Sequence, residues 1–343
     1  MKKLIFLSFV LLSTASFAQP HFVVQNGTTK VFNDINKAIT EAGAGDTLYV
    51  PGGGFSISAT VDKTMHWIGV GHYPDSTSVT GPCKIVSAIS FTGNCDNSTF
   101  EGIDFTSNFS MGSADNELEN MIMKRCRVRG TLYLRTSTDG NPNINAQISE
   151  CVIYNIDGQN ASNCLVEKCI INYMVNNFHQ SLFKFNNMNL NNPTGWYGSN
   201  SNTVNGCYNC QFRNNIFSYE YDLSGVGSCE FSYNLYAGGL PFDPVNSTNS
   251  GTNNIINVGA GNIYTTITTT INDFQYADNY HLKAGCLGIG TADDATDMGI
   301  YGSTFPYKEG AVPSYPHIQA AKVNTMAVDG KLGVKITVAA QKR

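Results

Sequence analysis

The densest run of charge in the chain is "KRCRVRGTLYLR", which gathers Lys124, Arg125, Arg127, Arg129 and Arg135. Guanidinium groups pair bidentately with carboxylates, so such a strip suits the uronate groups of an acidic polysaccharide. Eliminative cleavage of that polymer needs a base near the sugar C5 proton and cations that stabilise the enolate-like carboxylate. Lys168 and His179 are the side chains suited to the base, and Arg129 and Arg135 to the neutralising charge. Hydrolysis needs instead two carboxylates flanking one glycosidic bond. Asp293 and Asp294 are such a pair by type, although they fall near the apparent end of the fold. A further group comes from "NNFHQSLFKF" and "NNPTGWYGSNSN", where Lys184, Trp196 and Tyr197 accompany His179. Exposed rings such as Trp196 and Tyr197 on loops form platforms for the apolar faces of sugars. The bland alternative is that the two rings cover a loop.

The elements that must position these residues are legible as a comb. In "NCLVEKCIINYM" the small and apolar residues Cys164, Val166, Cys169 and Ile171 are spaced by two, three and two. A single strand alternates by two and a helix by threes and fours, so neither fits alone. With Cys169 as position zero, the same spacing returns at Ser98, Phe100, Ile103 and Phe105, then at Met121, Met123, Cys126 and Val128. Ala146, Ile148, Cys151 and Ile153 follow, then Phe183, Phe185, Met188 and Leu190. Cys210, Phe212, Asn215 and Phe217, and Cys229, Phe231, Asn234 and Tyr236, close the set. Successive zero positions differ by 23, 25, 18, 19, 27 and 19 residues. A repeat of this length, with two short strands meeting at a bend, predicts a solenoid whose rungs bury their apolar faces against neighbouring rungs. Asparagine at the zero corner suits a left-handed backbone and a ladder of side-chain hydrogen bonds.

The register also offers a structural reading of the charges. Lys124 follows Glu101 at minus two, Arg127 follows Asp104 at plus one, and at minus one Arg125 precedes Glu150, which precedes Lys168. Opposite charges on adjacent rungs help by ~0.2–1 kcal/mol each. An outer ion-pair ladder is therefore preferred to a substrate strip, with Arg129 and Arg135 left without an evident acidic neighbour.

Six of the ten cysteines, Cys126, Cys151, Cys164, Cys169, Cys210 and Cys229, fall on the inward columns and are expected as buried thiols. Cys83 with Cys95 is the preferred candidate for a disulfide. "CYNC", Cys207 to Cys210, has no second metal-ligand pair beside it, so no metal site is assigned.

Residues 1–18 have two lysines, a short apolar run and the small residues Ser16 and Ala18, the layout of a cleaved secretory signal. A secreted, periplasmic or cell-surface protein starting at Gln19, with no transmembrane segment in the mature chain, is expected. Charged residues are 14% of the chain and the net charge is -5, which argues against nucleic acid as a partner, since that would normally require a basic surface. Abundant glycine and asparagine, with few helix-favouring stretches, indicate an all-β chain. Residues 19–310 read as the solenoid and 311–343 as a proline-rich connector ending in a strand, "KLGVKITVAA". One strand is not stable alone, so docking on the solenoid is expected, with pairing to a second chain as the alternative.

The segment "FNDINKAITEAGAGDTLYVPGGGF", Phe32 to Phe55, resembles the amphipathic capping helix and first strand of right-handed, pectin-lyase-like parallel β-helix proteins. "YHLKAGCLGIGTADDATDMGIYG", Tyr280 to Gly302, is similar to the closing coil of secreted members. The resemblance implies a right-handed parallel β-helix with an N-terminal capping helix and a short C-terminal β tail. It implies no single activity, since that solenoid carries lyases, hydrolases and adhesins alike. The expected partner is a polysaccharide or surface glycan, bound by Arg129, Arg135, Lys184, Trp196 and Tyr197. Binding without catalysis is the preferred reading and a polysaccharide lyase or glycoside hydrolase the alternative. No cofactor is expected, and calcium only if the chain is a lyase.

Overall fold

The computed structural model describes residues 20–113, 116–135, 144–188, 202–218, 222–267, 274–324, 326 and 329–340. The signal-like segment 1–18 lies outside them. The chain is all-β, with two long sheets of mostly parallel strands, an arrangement compatible with a β-helix solenoid. Successive strands alternate between the sheets. Thr99–Glu101, Ile122–Lys124, Gln147–Ser149, Leu165–Glu167, Leu182–Lys184, Gln211–Arg213 and Glu230–Ser232 lie side by side in the first. Asp104–Phe105, Arg127–Tyr133, Val152–Ser162, Ile170–Ile171, Asn187–Met188, Ile216–Phe217 and Leu235–Tyr236 lie side by side in the second. The first sheet extends earlier than the comb, through Met65–Ile68 and Asp46–Tyr49 to the antiparallel strands Phe22–Asn26 and Thr28–Phe32. A helix, Ile35–Glu41, precedes Asp46–Tyr49 in the chain; Asp34 accepts the Lys37 N–H at 2.9 Å as its cap, and Ile35, Ala38 and Ile39 are buried.

The inward columns run through the core in register. At minus three, Phe100, Met123, Ile148, Val166, Phe183, Phe212 and Phe231 follow one another. Phe183, Phe212 and Phe231 stack with centroids 4.8 and 4.7 Å apart, which is the spacing between adjacent strands. At plus two, Phe105, Val128, Ile153, Ile171, Met188, Phe217 and Tyr236 do the same. Burying one such side chain stabilises by ~1.5–3 kcal/mol, so the two columns supply much of the stability.

One tooth of the comb is out of register. Phe183 pairs with Val166 and therefore occupies minus three, Asn186 occupies zero and Met188 plus two, which places Ser181 at minus five. Phe185 is at the outer corner, where it is buried from outside. Leu190 lies outside the described residues.

The corner chemistry also differs from expectation. The left-handed residue is at minus one, not zero: φ is +69° at Gly102, +52° at Arg125, +55° at Glu150, +52° at Lys168, +56° at Phe185, +58° at Asn214 and +55° at Tyr233. This turn re-aims the chain while its N–H still reaches the next rung, as from Lys168 to the Lys184 carbonyl at 3.2 Å. The zero residue points inward. Asn186, Asn215, Asn234 and Asn254 form a ladder in which Oδ1 of each accepts from the backbone N–H of the zero residue one rung before, at 2.8–2.9 Å. Each Nδ2 donates to the minus-three carbonyl of the preceding rung, at 2.7–2.9 Å. The cysteines imitate this: Cys126 N–H donates to Cys151 Sγ at 3.4 Å, and the thiols of Cys126, Cys151 and Cys169 donate to the carbonyls of Phe100, Met123 and Ile148. A thiol here is thus a hydrogen-bonding corner residue as well as a small hydrophobe.

All ten cysteines are buried and free, so Cys83 and Cys95 form no disulfide. Cys83 begins a strand of the second sheet, whereas the Cys95 thiol donates to the carbonyls of Val61 and Thr92.

Residues 280–302 do not add a closing coil. They belong to a strap, of which 263–267 and 274–317 are described, that packs along the outside of the second sheet. A second core forms beneath it from Val152, Ile170, Ile216 and Leu235 on the sheet and Tyr280, Met298, Ile300 and Tyr307 on the strap. At the far end of the strap Gly71, at φ +103°, lets the backbone approach so closely that a Cβ would lie 2.9 Å from the Ala311 carbonyl oxygen. The strand expected at Lys331–Ala340 is Val334–Ala339, and within the chain its partner is not one of the two long sheets. It pairs antiparallel with His317–Val323, a strand inside the segment read as a connector.

Candidate functional site

The arginine strip does not present a row of free guanidinium groups. Arg125 is fully buried, donating from Nε to Glu150 at 2.8 Å and from Nη1 to the Val312 carbonyl at 2.8 Å. Arg127 is the Cα partner of Asp104, as the register implied, but both residues are buried, so this is no exposed surface pair. Arg127 is buried, with its guanidinium 5.3 Å from the Phe274 ring and 5.1 Å from the Tyr276 ring of the strap. The Asp104 carboxylate, fully buried, is held bidentately by Arg129 at 2.9 and 2.8 Å. Arg129 thus has the acidic neighbour that the spacing did not reveal. Arg135 is buried and donates to the Gln159 carbonyl at 2.7 Å.

Lys168 and Lys184 are brought together, but on Glu167, at 3.5 and 3.2 Å. Burial raises the Glu167 carboxyl, and the two ammonium groups more than offset this, leaving it below its ordinary value. Lys168 therefore meets Glu167 rather than Glu150. His179 ends the strand Val175–His179, at the far side of the same rung from Lys168, with its ring 5.5 Å from Tyr208. Burial lowers its basicity. Trp196 and Tyr197 lie outside the described residues. Asp293 forms an ion pair with Arg213 at 2.8 Å and is hydrogen-bonded to Asn214, so it anchors the strap.

The described residues do hold a groove. It lies on the outer face of the first sheet, has a volume of about 340 Å³, and is lined by Thr47, His66, Ile68, Thr99, Phe100, Glu101, Ile122, Lys124 and Tyr315. Thr47, His66, Thr99 and Ile122 are one outward row on four adjacent strands; Ile68, Glu101 and Lys124 are the next. Four strands at ~4.8 Å span roughly 14 Å along the stack. Tyr315 forms a wall and is 46% exposed, with its ring edge-on to Tyr49 at 5.9 Å. Its place is set by Ser314, whose N–H and hydroxyl both donate to Glu101 at 2.8 Å. Glu101 also lies 3.6 Å from Arg125, so this carboxylate holds the wall. His66 Nδ1 is 3.1 Å from the Thr99 hydroxyl. Lys124 and Glu101 were visible in the charge pattern. His66 and Tyr315 were not, because they lie outside the seven teeth and Tyr315 arrives from the chain's far end. Among the described residues no group of three His, Cys, Asp or Glu side chains is arranged to hold a metal ion.

Comparison with protein-family models, curated proteins and solved structures finds no match for this chain. Among the described residues no helix is long and apolar enough to cross a membrane.

Proposed function

We propose that this chain is a secreted or cell-surface, right-handed parallel β-helix protein of the pectin-lyase-like kind, capped by the helix Ile35–Glu41, that binds an extended glycan without cleaving it. The observation that carries the reading is the groove beneath Tyr315. It is open, runs along the stack, and sets an exposed ring beside hydroxyl, imidazole and ammonium groups. Sugars offer that combination of apolar faces and equatorial hydroxyls, and aromatic side chains with a few placed polar groups are what recognise it. Among the residues lining the groove the one carboxylate is Glu101, occupied by Ser314 and Arg125, whereas hydrolysis needs two.

The test is a screen of the purified protein against acidic and neutral polysaccharides, reading retention, reducing ends and unsaturated-product absorbance together. Retention without product is expected. Tyr315→Ala is expected to weaken retention about tenfold or more, the scale of one lost stacking contact, with little change in melting temperature. Unsaturated product would select the lyase alternative, with His66 and Lys124 as its first candidates and calcium dependence to be measured. New reducing ends would select hydrolysis.

A further inference from the structure

His72 lies in the excursion that joins Met65–Ile68 of the first sheet to Cys83–Ile85 of the second, and its side chain is buried. The strap meets it there. Tyr276 donates its hydroxyl proton to the His72 carbonyl at 2.9 Å, and the same hydroxyl oxygen lies 3.2 Å from His72 Nδ1. The hydroxyl has one proton and has spent it, so Nδ1 must carry hydrogen and donate. The neutral tautomer is thereby fixed, and Nε2 is left bare. Among the described residues Nε2 is buried and has no hydrogen-bond partner.

Charge around the imidazole is unfavourable for a second proton. Arg127 and Arg129 approach from the neighbouring strand, and Asp104 is engaged bidentately by Arg129. From its own excursion comes Tyr73, and from the strap come Tyr276, Tyr307 and, at the surface, Glu309. Burial, then Arg127 and Arg129, hold the imidazole well below its ordinary value. The same short region fastens the end of the strap, with Tyr73 and Tyr307 hydroxyls 3.0 Å apart and Ser76 donating to the Gly310 carbonyl at 2.6 Å.

We propose that His72 is an acid-sensitive latch: neutral, it holds the strap against the second sheet, and protonated, it releases it. With the strap undocked the imidazole meets water and titrates near ~6.5. The undocked state then binds a proton that the docked state refuses. Docking weakens as pH falls below ~6.5, by up to about tenfold per pH unit, until the docked imidazole itself titrates. Because Val312, Ser314 and Tyr315 follow directly on the latched residues, release also removes the wall of the groove. The latch does not depend on what the groove holds.

The experiment is hydrogen exchange of the full chain followed by peptide mass spectrometry between about pH 7 and about pH 5, corrected for the pH dependence of chemical exchange. Protection of peptides from 274–317 is expected to fall about tenfold or more over that range while peptides of the inner rungs keep theirs. His72→Asn places an amide N–H near Nδ1 and cannot titrate, so its strap protection is expected to be flat. His72→Phe is the second variant should His72→Asn not fold. Flat protection in the parent, loss spread evenly over strap and rungs, or an unchanged pH slope in either variant overturns the latch. If neither variant folds, the parent curve decides by the same criteria.

Discussion

Lys168, suited by type to a catalytic base, also sits at a structural corner of the fold. It occupies the left-handed corner at φ +52°, and its ammonium shares Glu167 with Lys184. Glycine adopts that backbone without a Cβ penalty, whereas a β-branched residue is strained there. The ion pair is worth at most about 1 kcal/mol and Lys184 retains it in part. Lys168→Gly is therefore expected to leave stability within ~1 kcal/mol of the parent, while Lys168→Val costs ~1–3 kcal/mol. Urea unfolding of the three proteins checks the order. Were Lys168 the base of an eliminative enzyme, the glycine variant would be stable and its product formation lost.

At the scale of the element, the bend between strands matters more than the strands. A parallel strand pair supplies its own hydrogen bonds, but at the zero corner the backbone N–H faces inward and needs a side-chain acceptor from the next rung. Asn215 meets that need in both directions. It accepts from Asn186 N–H at 2.9 Å and Nδ2 at 3.0 Å, and donates to the Phe183 carbonyl at 2.9 Å. Asn215→Ala leaves these buried groups unsatisfied and is expected to cost ~2–4 kcal/mol. Asn215→Cys substitutes a weaker donor and acceptor of the kind used at Cys151 and is expected to cost less than the alanine variant. Equal losses in thermal unfolding would show that volume, not hydrogen bonding, governs the column. The same corner explains the misread tooth. Phe183 and Phe185 are both apolar and two residues apart, and spacing cannot tell an inward strand position from an outer corner that a distant segment covers.

At the scale of the whole molecule the strap is decisive, and Arg127 measures its hold. An exposed ion pair with Asp104 would make this arginine worth under about 1 kcal/mol. Buried between the sheet and the rings of Phe274 and Tyr276, it is expected to be worth ~2 kcal/mol or more. Arg127→Ala should lower the melting temperature and open 274–317 to proteases before the rungs are cut. Unchanged proteolysis of that segment would mean that the second core alone holds the strap.

The all-β character, the parallel stacking and the inward columns were legible from the chain itself, because a repeat with the same spacing seven times over reports one recurring local environment. The pairing of Arg125 with Glu150 was legible for the same reason, since the residues occupy the same corner of adjacent rungs. What only the tertiary structure decided lies where segments far apart in sequence meet. The strap lays its rings beside Arg127, buries Phe185 from outside, brings Tyr276 to His72 and carries Tyr315 to the groove. No spacing rule spans the more than one hundred intervening residues, because the contacts belong to a surface that exists only after the rungs have stacked.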